Sequence, residues 1–134
     1  MTTVANEISL KWIDGLRFEG WAGTAKVDID GDGEMGTSPV NLLLESVGAC
    51  AAADVVDILE KGRQKLTAMT VHVTADRREE TPRYVKRLYM TFRMEGDVDP
   101  SKAQRAVDLS LEKYCSVFHS LRMDLNVETQ IEID

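Results

Sequence analysis

The 134-residue sequence predicts an α+β fold, and three features of the chain lead to this prediction. Stretches with strand character are grouped on either side of one long apolar helix, whereas a parallel Rossmann-type sheet alternates strands and helices singly. These stretches alternate apolar and polar side chains, as half-buried strands do. Two capping residues are each followed by proline, at Ser38-Pro39 and at Asp99-Pro100, and this combination marks the start of a helix.

Residues 7–30 are predicted to form three short antiparallel strands. Residues 7–13 and 24–30 alternate, and residues 17–22 return after the hairpin signal Asp14-Gly15. The apolar residues of the outer two strands are predicted to face inward and Asp30 outward. The loop that follows lacks the glutamate that completes a calcium loop, so no calcium ion is predicted. The predicted inward residues are Ile8, Leu10, Trp12, Ala25, Val27 and Ile29.

A long helix is predicted from Ser38-Pro39 to about Lys61, with Gly62 as its stop. Its apolar residues lie on nearly every side, and such a helix must be surrounded by protein. One copy of a chain this short can hardly cover it. A homodimer with a large apolar interface is therefore predicted. The small residues of the run 48–53 allow another element to approach the helix backbone closely.

The second half of the chain is predicted to add strands over residues 67–78 and 84–94 and a helix that begins at Asp99-Pro100. The apolar pattern of this helix continues past Cys115, where a kink would fit it, and a last alternating strand closes the chain. No linker divides the sequence, so a single domain over residues 1–134 is predicted. The predicted inward residues are Met69, Val71, Val73, Ala75, Leu88, Met90, Phe92 and Met94.

The charge balance argues against a general nucleic-acid binder. The net charge is −7, from 16 basic and 23 acidic residues, and such a surface repels phosphate backbones. The densest basic group, residues 77–87, is interrupted by two glutamates and is either a solvated strand face or a ligand or partner contact. The most apolar stretch carries three carboxylates, so no membrane span is predicted. No secretion signal is visible, and the predicted location is cytoplasmic.

The two cysteines, Cys50 and Cys115, are the candidate chemical groups. Packed, inert thiols are the commoner role of free cysteine. A reactive thiol needs a helix N-terminus, a cation or a base that lowers its pKa. Cys50 lies about three turns into its helix, and Asp54 and Asp57 follow it on the same face, where they would oppose ionisation. An activating arginine must therefore come from elsewhere in the fold.

Other catalytic arrangements are weaker. Cys115 and His119 have the spacing of one helical face and could hold half of a metal site, but His72 is the only other histidine. The sequence contains no glycine-rich phosphate loop, no GxSxG motif and no recognisable Ser/His/Asp set. No metal ion and no cofactor are therefore predicted.

Residues 38–55 read SPVNLLLESVGACAAADV, and residues 112–117 read EKYCSV. The first motif resembles the first-cysteine helix of the OsmC/Ohr family, the osmotically inducible and organic hydroperoxide resistance proteins. The second resembles the second-cysteine segment of that family, and the spacing between the two cysteines is similar. Residues 61–64, KGRQ, and residues 77–83, RREETPR, further resemble its YhfA-like subgroup. The resemblance covers essentially the whole chain.

This resemblance implies an OsmC-like fold, an intertwined homodimer with a long buried central helix, further antiparallel strands and a second cysteine-bearing helix. Two equivalent thiol sites would lie at the subunit interface. The characterised members of the family reduce organic hydroperoxides. Their first cysteine becomes a sulfenic acid, their second forms a disulfide with it, and a dithiol reductant restores both thiols. The implied ligand is a hydrophobic peroxide or another small apolar molecule in an apolar interfacial pocket.

By the same resemblance, Cys50 matches the peroxidatic position, Cys115 matches the resolving position, and Arg17 falls near the activating arginine. The peroxidases of the family carry a glutamate ten residues before the first cysteine, where this chain has Val40. Glu45 is closer to Cys50 and projects differently, so it is a poor substitute. Two functions are therefore predicted: a thiol-dependent hydroperoxide reductase, or a binding or redox-sensing dimer with little peroxidase turnover.

Overall fold

A computed structural model of the protein describes residues 6–134. The chain divides into two compact units after Leu43. The single domain predicted from the sequence stays a prediction. The elements, in chain order, are β1 (Ser9–Asp14), β2 (Arg17–Ala22), β3 (Ala25–Asp30), α1 (Pro39–Lys61), β4 (Lys65–Arg77), β5 (Val85–Asp97), α2 (Pro100–Leu109), a π-helical turn (Ser110–Tyr114), α3 (Ser116–His119) and β6 (Asn126–Ile133).

The first unit contains an antiparallel sheet in the order β1-β2-β3, which confirms the three predicted strands. Leu10 pairs with Gly20, and Gly20 pairs with Val27, so these residues share one face of the sheet. This apolar face also carries Ile8, Trp12, Phe18 and Ile29. It is open to solvent in the single chain, where Trp12 is 64% exposed. The face lines an apolar concavity of about 300 Å³.

The loop after β3 is ordered by a buried carboxylate and corrects the predicted orientation of Asp30. That residue was expected to point outward, yet it is 3% exposed. Its carboxylate accepts the backbone N–H groups of Met35 and Asp32, each at 2.9 Å. These hydrogen bonds hold the pKa of Asp30 below its usual value, because they favour the charged form. The aspartate therefore satisfies loop amides that burial would otherwise leave without partners.

The long helix α1 begins and ends where the sequence predicts. Ser38 is its cap, and the Oγ atom of this residue accepts the backbone N–H of Asn41 at 3.3 Å. At the other end the left-handed residue is Arg63, with φ of 60°, and not the predicted stop, Gly62. The N–H of Gln64 bonds to the carbonyl of Leu59, and that of Arg63 bonds to the carbonyl of Glu60. These two bonds form a Schellman cap.

Within the second unit, α1 buries one stripe of residues spaced four apart, from Val47 to Leu59. Gly48 lies beside this stripe, and a Cβ atom there would stand 3.1 Å from Val73 of β4. The small residue thus permits the close approach that the sequence predicts. Ala49 and Ala53 lie on another side of the helix and are exposed in the single chain.

The second sheet has the order β4-β5-β6. The further antiparallel strands predicted from the sequence are confirmed for β4 and β5, whereas β6 pairs with β5 in parallel. The connection through α2 and α3 returns the chain to the other end of the sheet, as a parallel neighbour requires. The predicted inward residues of β5 are at most 1% exposed and form the centre of the core: Leu88, Met90, Phe92 and Met94.

Asp99 caps α2, as the sequence predicts. Its Oδ1 atom accepts the N–H groups of Ser101 at 2.8 Å and of Lys102 at 3.2 Å, and Pro100 occupies the first turn. The Ser101 hydroxyl also donates to this carboxylate, and the three hydrogen bonds lower the pKa of Asp99. Over residues 6–134, none of the helices has the length and apolar character that crossing a bilayer demands.

Candidate functional site

Cys50 lies in the middle of α1, among small side chains. It is half-buried, whereas Val47 and Ala51 beside it are fully buried. The sulfur packs against the core of the second unit. Asp54 follows one turn later and is half-buried too. The helix therefore presents a thiol and a carboxylate on the same face.

Cys115 lies at a break between two helical segments. It follows the π-helical turn, its backbone is extended (φ −73°, ψ 100°), and it serves as the N-cap of α3. The predicted kink is confirmed, but the second cysteine stands between helices and not within one. Its N–H donates to the carbonyl of Ser110 at 2.7 Å, which closes the turn. Its side chain is fully buried.

The fold brings Cys50 and Cys115 together as two free thiols. Burial of Cys115 raises the pKa of its thiol to about 11. The N–H of Phe118 donates to the sulfur at 3.4 Å and acts in the opposite direction. The Cys50 thiol, as a hydrogen-bond partner and as a charge, and the Asp54 carboxylate raise this pKa further. The site therefore favours the protonated form of the second thiol.

A partly buried polar pair, Ser110 and Asp54, stands beside the thiols. The Oγ atom of Ser110 donates to Oδ2 of Asp54 at 2.8 Å and lies 3.4 Å from the carbonyl oxygen of Ala51. Ser110 is fully buried. The sequence analysis considered Asp54 only as an acid opposing ionisation and did not identify Ser110. The sequence does contain a signal for Ser110, because this polar residue lies between Leu109 and Leu111 in an otherwise apolar pattern.

A family model described as OsmC-like protein matches residues 30–130, a range that contains both cysteines. The chain belongs to the OsmC family. Protein YhfA of Escherichia coli (strain K12) is 39% identical over 127 residues, which cover 92% of this chain and 95% of that protein. The resemblance predicted from the two cysteine motifs is thus confirmed.

Solved structures agree with this assignment to the OsmC family. A protein of Aquifex aeolicus VF5 superposes with a TM-score of 0.91 at 28% identity, over 98% of each chain. The organic hydroperoxide resistance protein OhrB of Bacillus subtilis superposes with a TM-score of 0.61 at 18% identity, again over 98% of each chain. The second similarity shows a shared fold, and the OsmC-like architecture is therefore confirmed.

Arg17, the candidate activating arginine of this OsmC family member, begins β2 in the first unit. Its Nη1 atom lies 3.4 Å from each carboxylate oxygen of Asp14, and the guanidinium is partly exposed. An exposed pair of this kind contributes little to stability. The residue precedes the range matched by the family model. Its role as the activating cation stays a prediction.

The remaining candidates are His119, as part of a metal site, and the basic group of residues 77–87. His119 ends α3, and its ring stands edge-on to that of Phe118 with centroids 5.8 Å apart. In the part of the chain that the structure describes, no group of three or more His, Cys, Asp or Glu side chains is suited to a metal ion. In the basic group of residues 77–87, Arg83, Lys86 and Arg87 are exposed, in agreement with a solvated strand face.

Proposed function

We propose that this OsmC family protein reduces organic hydroperoxides through its two thiols. The observation that carries the proposal is the placement of Cys50 beside Cys115 from distant parts of the chain. Cys50 loses its proton, and its thiolate attacks the terminal oxygen of the hydroperoxide. The O–O bond breaks, Cys50 becomes a sulfenic acid, and the departing alkoxide takes up the proton to leave as an alcohol. Cys115 then attacks the oxidised sulfur, water leaves, and a disulfide forms. A dithiol reductant then reduces this disulfide by thiol–disulfide exchange, which restores both thiols and oxidises the reductant.

The different surroundings of the thiols support this division of roles. Cys50 is half-buried, so a peroxide can reach it first, whereas Cys115 is fully buried. With its pKa at about 11, the thiolate fraction of Cys115 at pH 7 is on the order of 10⁻⁴. Such a thiol is poorly suited to attack a peroxide. It can react once a sulfenic acid has formed beside it, at the oxidised sulfur of Cys50.

The site is proposed to belong to a homodimer. The apolar face of the first sheet carries Leu10 and Trp12, each more than half exposed, and α1 leaves Ala49 and Ala53 uncovered. Exposed apolar surface of this kind, on either unit, marks an interface. A second copy would cover it and close an apolar pocket for a hydrophobic peroxide along the Cys50 helix. A cytoplasmic location would supply the dithiol reductant.

Sedimentation velocity at micromolar concentration is expected to show a dimer. Obligate interfaces bury roughly 2,000 Å² or more, and an interface of that size keeps two copies together at this concentration. The single substitution Leu10→Asp places a charge on the apolar face and is expected to shift the protein toward monomer. Lys11→Asp, on the opposite face of the same strand, serves as the control and is expected to leave the dimer intact. A native protein that sediments as a monomer contradicts the proposal.

Two features of the chain favour a second function. The groups that act on Cys115 include the Asp54 carboxylate, which opposes ionisation. The position ten residues before Cys50 is Val40, where peroxidases of the resembled family carry glutamate. Both observations fit a binding or redox-sensing dimer that turns over peroxide slowly.

A thiol titration separates the two functions. The reduced protein is treated with one equivalent of cumene hydroperoxide, and free thiols are counted after denaturation, next to a sample given cumyl alcohol. Loss of both thiols per chain within seconds to minutes is expected for the reductase. Unchanged thiols would favour the binding or sensing function.

A further inference from the structure

The break that positions Cys115 is joined to α1 by a partly buried hydrogen bond. The Ser110 hydroxyl donates to Oδ2 of Asp54 at 2.8 Å, and the Ser110 carbonyl accepts the N–H of Cys115 at 2.7 Å. One residue thus joins the Cys50 helix, through its side chain, to the Cys115 backbone. A hydrogen bond to a charged acceptor in a buried place is stronger than a neutral one.

The Asp54 carboxylate also places a negative charge near Cys115. Asp54 lies one helical turn after Cys50, and its charge acts on Cys115 as well. The ionisable groups acting on the Cys115 thiol are Cys50 and Asp54, both from α1, while α3 contributes the N–H of Phe118. A negative charge in partly buried surroundings disfavours a nearby thiolate, and here it adds to the larger effects of burial and of Cys50 on the pKa of Cys115.

We propose that Asp54 is a positioning residue that anchors Cys115 beside Cys50, through Ser110, and that places a negative charge next to Cys115. The anchor favours disulfide formation once a sulfenic acid is present. The charge disfavours the thiolate form of the neighbouring Cys115. This inference deepens the proposed function, and it rests on the thiol pair being the reactive site.

Two substitutions separate the anchor from the charge. Asp54→Asn keeps an oxygen that accepts the Ser110 hydroxyl but removes the charge. Ser110→Ala removes the anchor but keeps the charge. Asp57→Asn is the matched control, because it removes a carboxylate from the same helix at an exposed position, where Asp57 pairs only with Lys61 in the described residues.

The first readout is the apparent pKa of Cys115, followed by the ultraviolet absorbance of its thiolate in a Cys50→Ser background as the pH rises. This measurement needs no reagent to enter the buried site. Asp54→Asn is expected to lower the apparent pKa by about half a unit or more, because the negative charge is gone. Ser110→Ala and Asp57→Asn are expected to leave it close to the value of the Cys50→Ser protein. An unchanged titration in Asp54→Asn overturns the inference, and so does an equal shift in Ser110→Ala, which would indicate loosening of the site.

The second readout is the rate of intramolecular disulfide formation with diamide, which involves no peroxide. Ser110→Ala is expected to slow disulfide formation several-fold, because Cys115 is no longer anchored. In each protein the rate of disulfide formation is divided by the rate at which iodoacetamide alkylates Cys50, so that a change in the reactivity of Cys50 itself does not affect the comparison. Closure as fast as in the native protein overturns the anchoring role. Both readouts remain interpretable if the protein fails to consume hydroperoxides, so failure of this inference and failure of the proposed function are distinguishable.

Discussion

Replacement of Cys50 by Ser is expected to abolish hydroperoxide consumption. A serine hydroxyl ionises far too weakly to attack an O–O bond, and Cys115 cannot take over, because burial keeps the pKa of its thiol at about 11. The measurement is the loss of cumene hydroperoxide with excess dithiothreitol as the reductant. The expected rate falls to that of buffer with dithiothreitol alone.

Replacement of Cys115 by Ser gives the matched comparison. The first chemical step should survive with a rate near the native one, since Cys50 keeps its place on α1. The sulfenic acid then has no neighbouring thiol, so a dimedone-type probe should trap it at Cys50, and excess peroxide should carry it to higher oxidation states. In the native protein the same probe should label Cys50 weakly, because the disulfide forms first.

Either of two results would reverse or remove these roles. If Cys115→Ser abolishes the first turnover while Cys50→Ser leaves it intact, the attacking and resolving thiols are exchanged. If neither substitution alters peroxide consumption, the thiol pair is not a peroxidase site.

Gly96→Ala is expected to destabilise the protein by about 3 kcal/mol or more. Gly96 has φ of +122°, a conformation that side chains rarely adopt. A Cβ atom there would overlap the carbonyl oxygen of Lys65 and stand 2.9 Å from the amide nitrogen of Thr67. Backbone strain costs on the order of 1–3 kcal/mol, and forced displacement of packed atoms adds about 1–3 kcal/mol. The measurement is the free energy of unfolding in urea, at one protein concentration so that assembly does not contribute.

Gly23→Ala is the control for Gly96→Ala. Gly23 also has positive φ, 61°, but its added Cβ would meet no atom within 4 Å. Gly23→Ala should therefore lower the free energy of unfolding only by the backbone strain, about 1–2 kcal/mol. Equal losses for the two variants would show that the strand pairing of β4 and β5 adapts around Gly96, contrary to the expectation.

Local patterns in the chain were enough to predict most elements of the fold. Alternation is a property of adjacent residues, so it marked β1, β3 and the strands of the second sheet, together with the buried side of β5, while the hairpin signal marked β2. A capping side chain acts within one turn, so Ser38 and Asp99 identified where α1 and α2 begin. The two cysteine motifs identified the OsmC family, because they preserve residue order around each thiol.

Tertiary structure decided the features that depend on contacts between distant segments. The parallel pairing of β6 follows from the path of the whole connection after β5, which no strand pattern specifies. Asp30 turned inward because loop amides of the folded chain needed an acceptor. The contact between Ser110 and Asp54 joins residues from opposite halves of the chain. Burial and that same carboxylate raise the pKa of Cys115, since the cost of ionising a thiol depends on which groups surround it after folding.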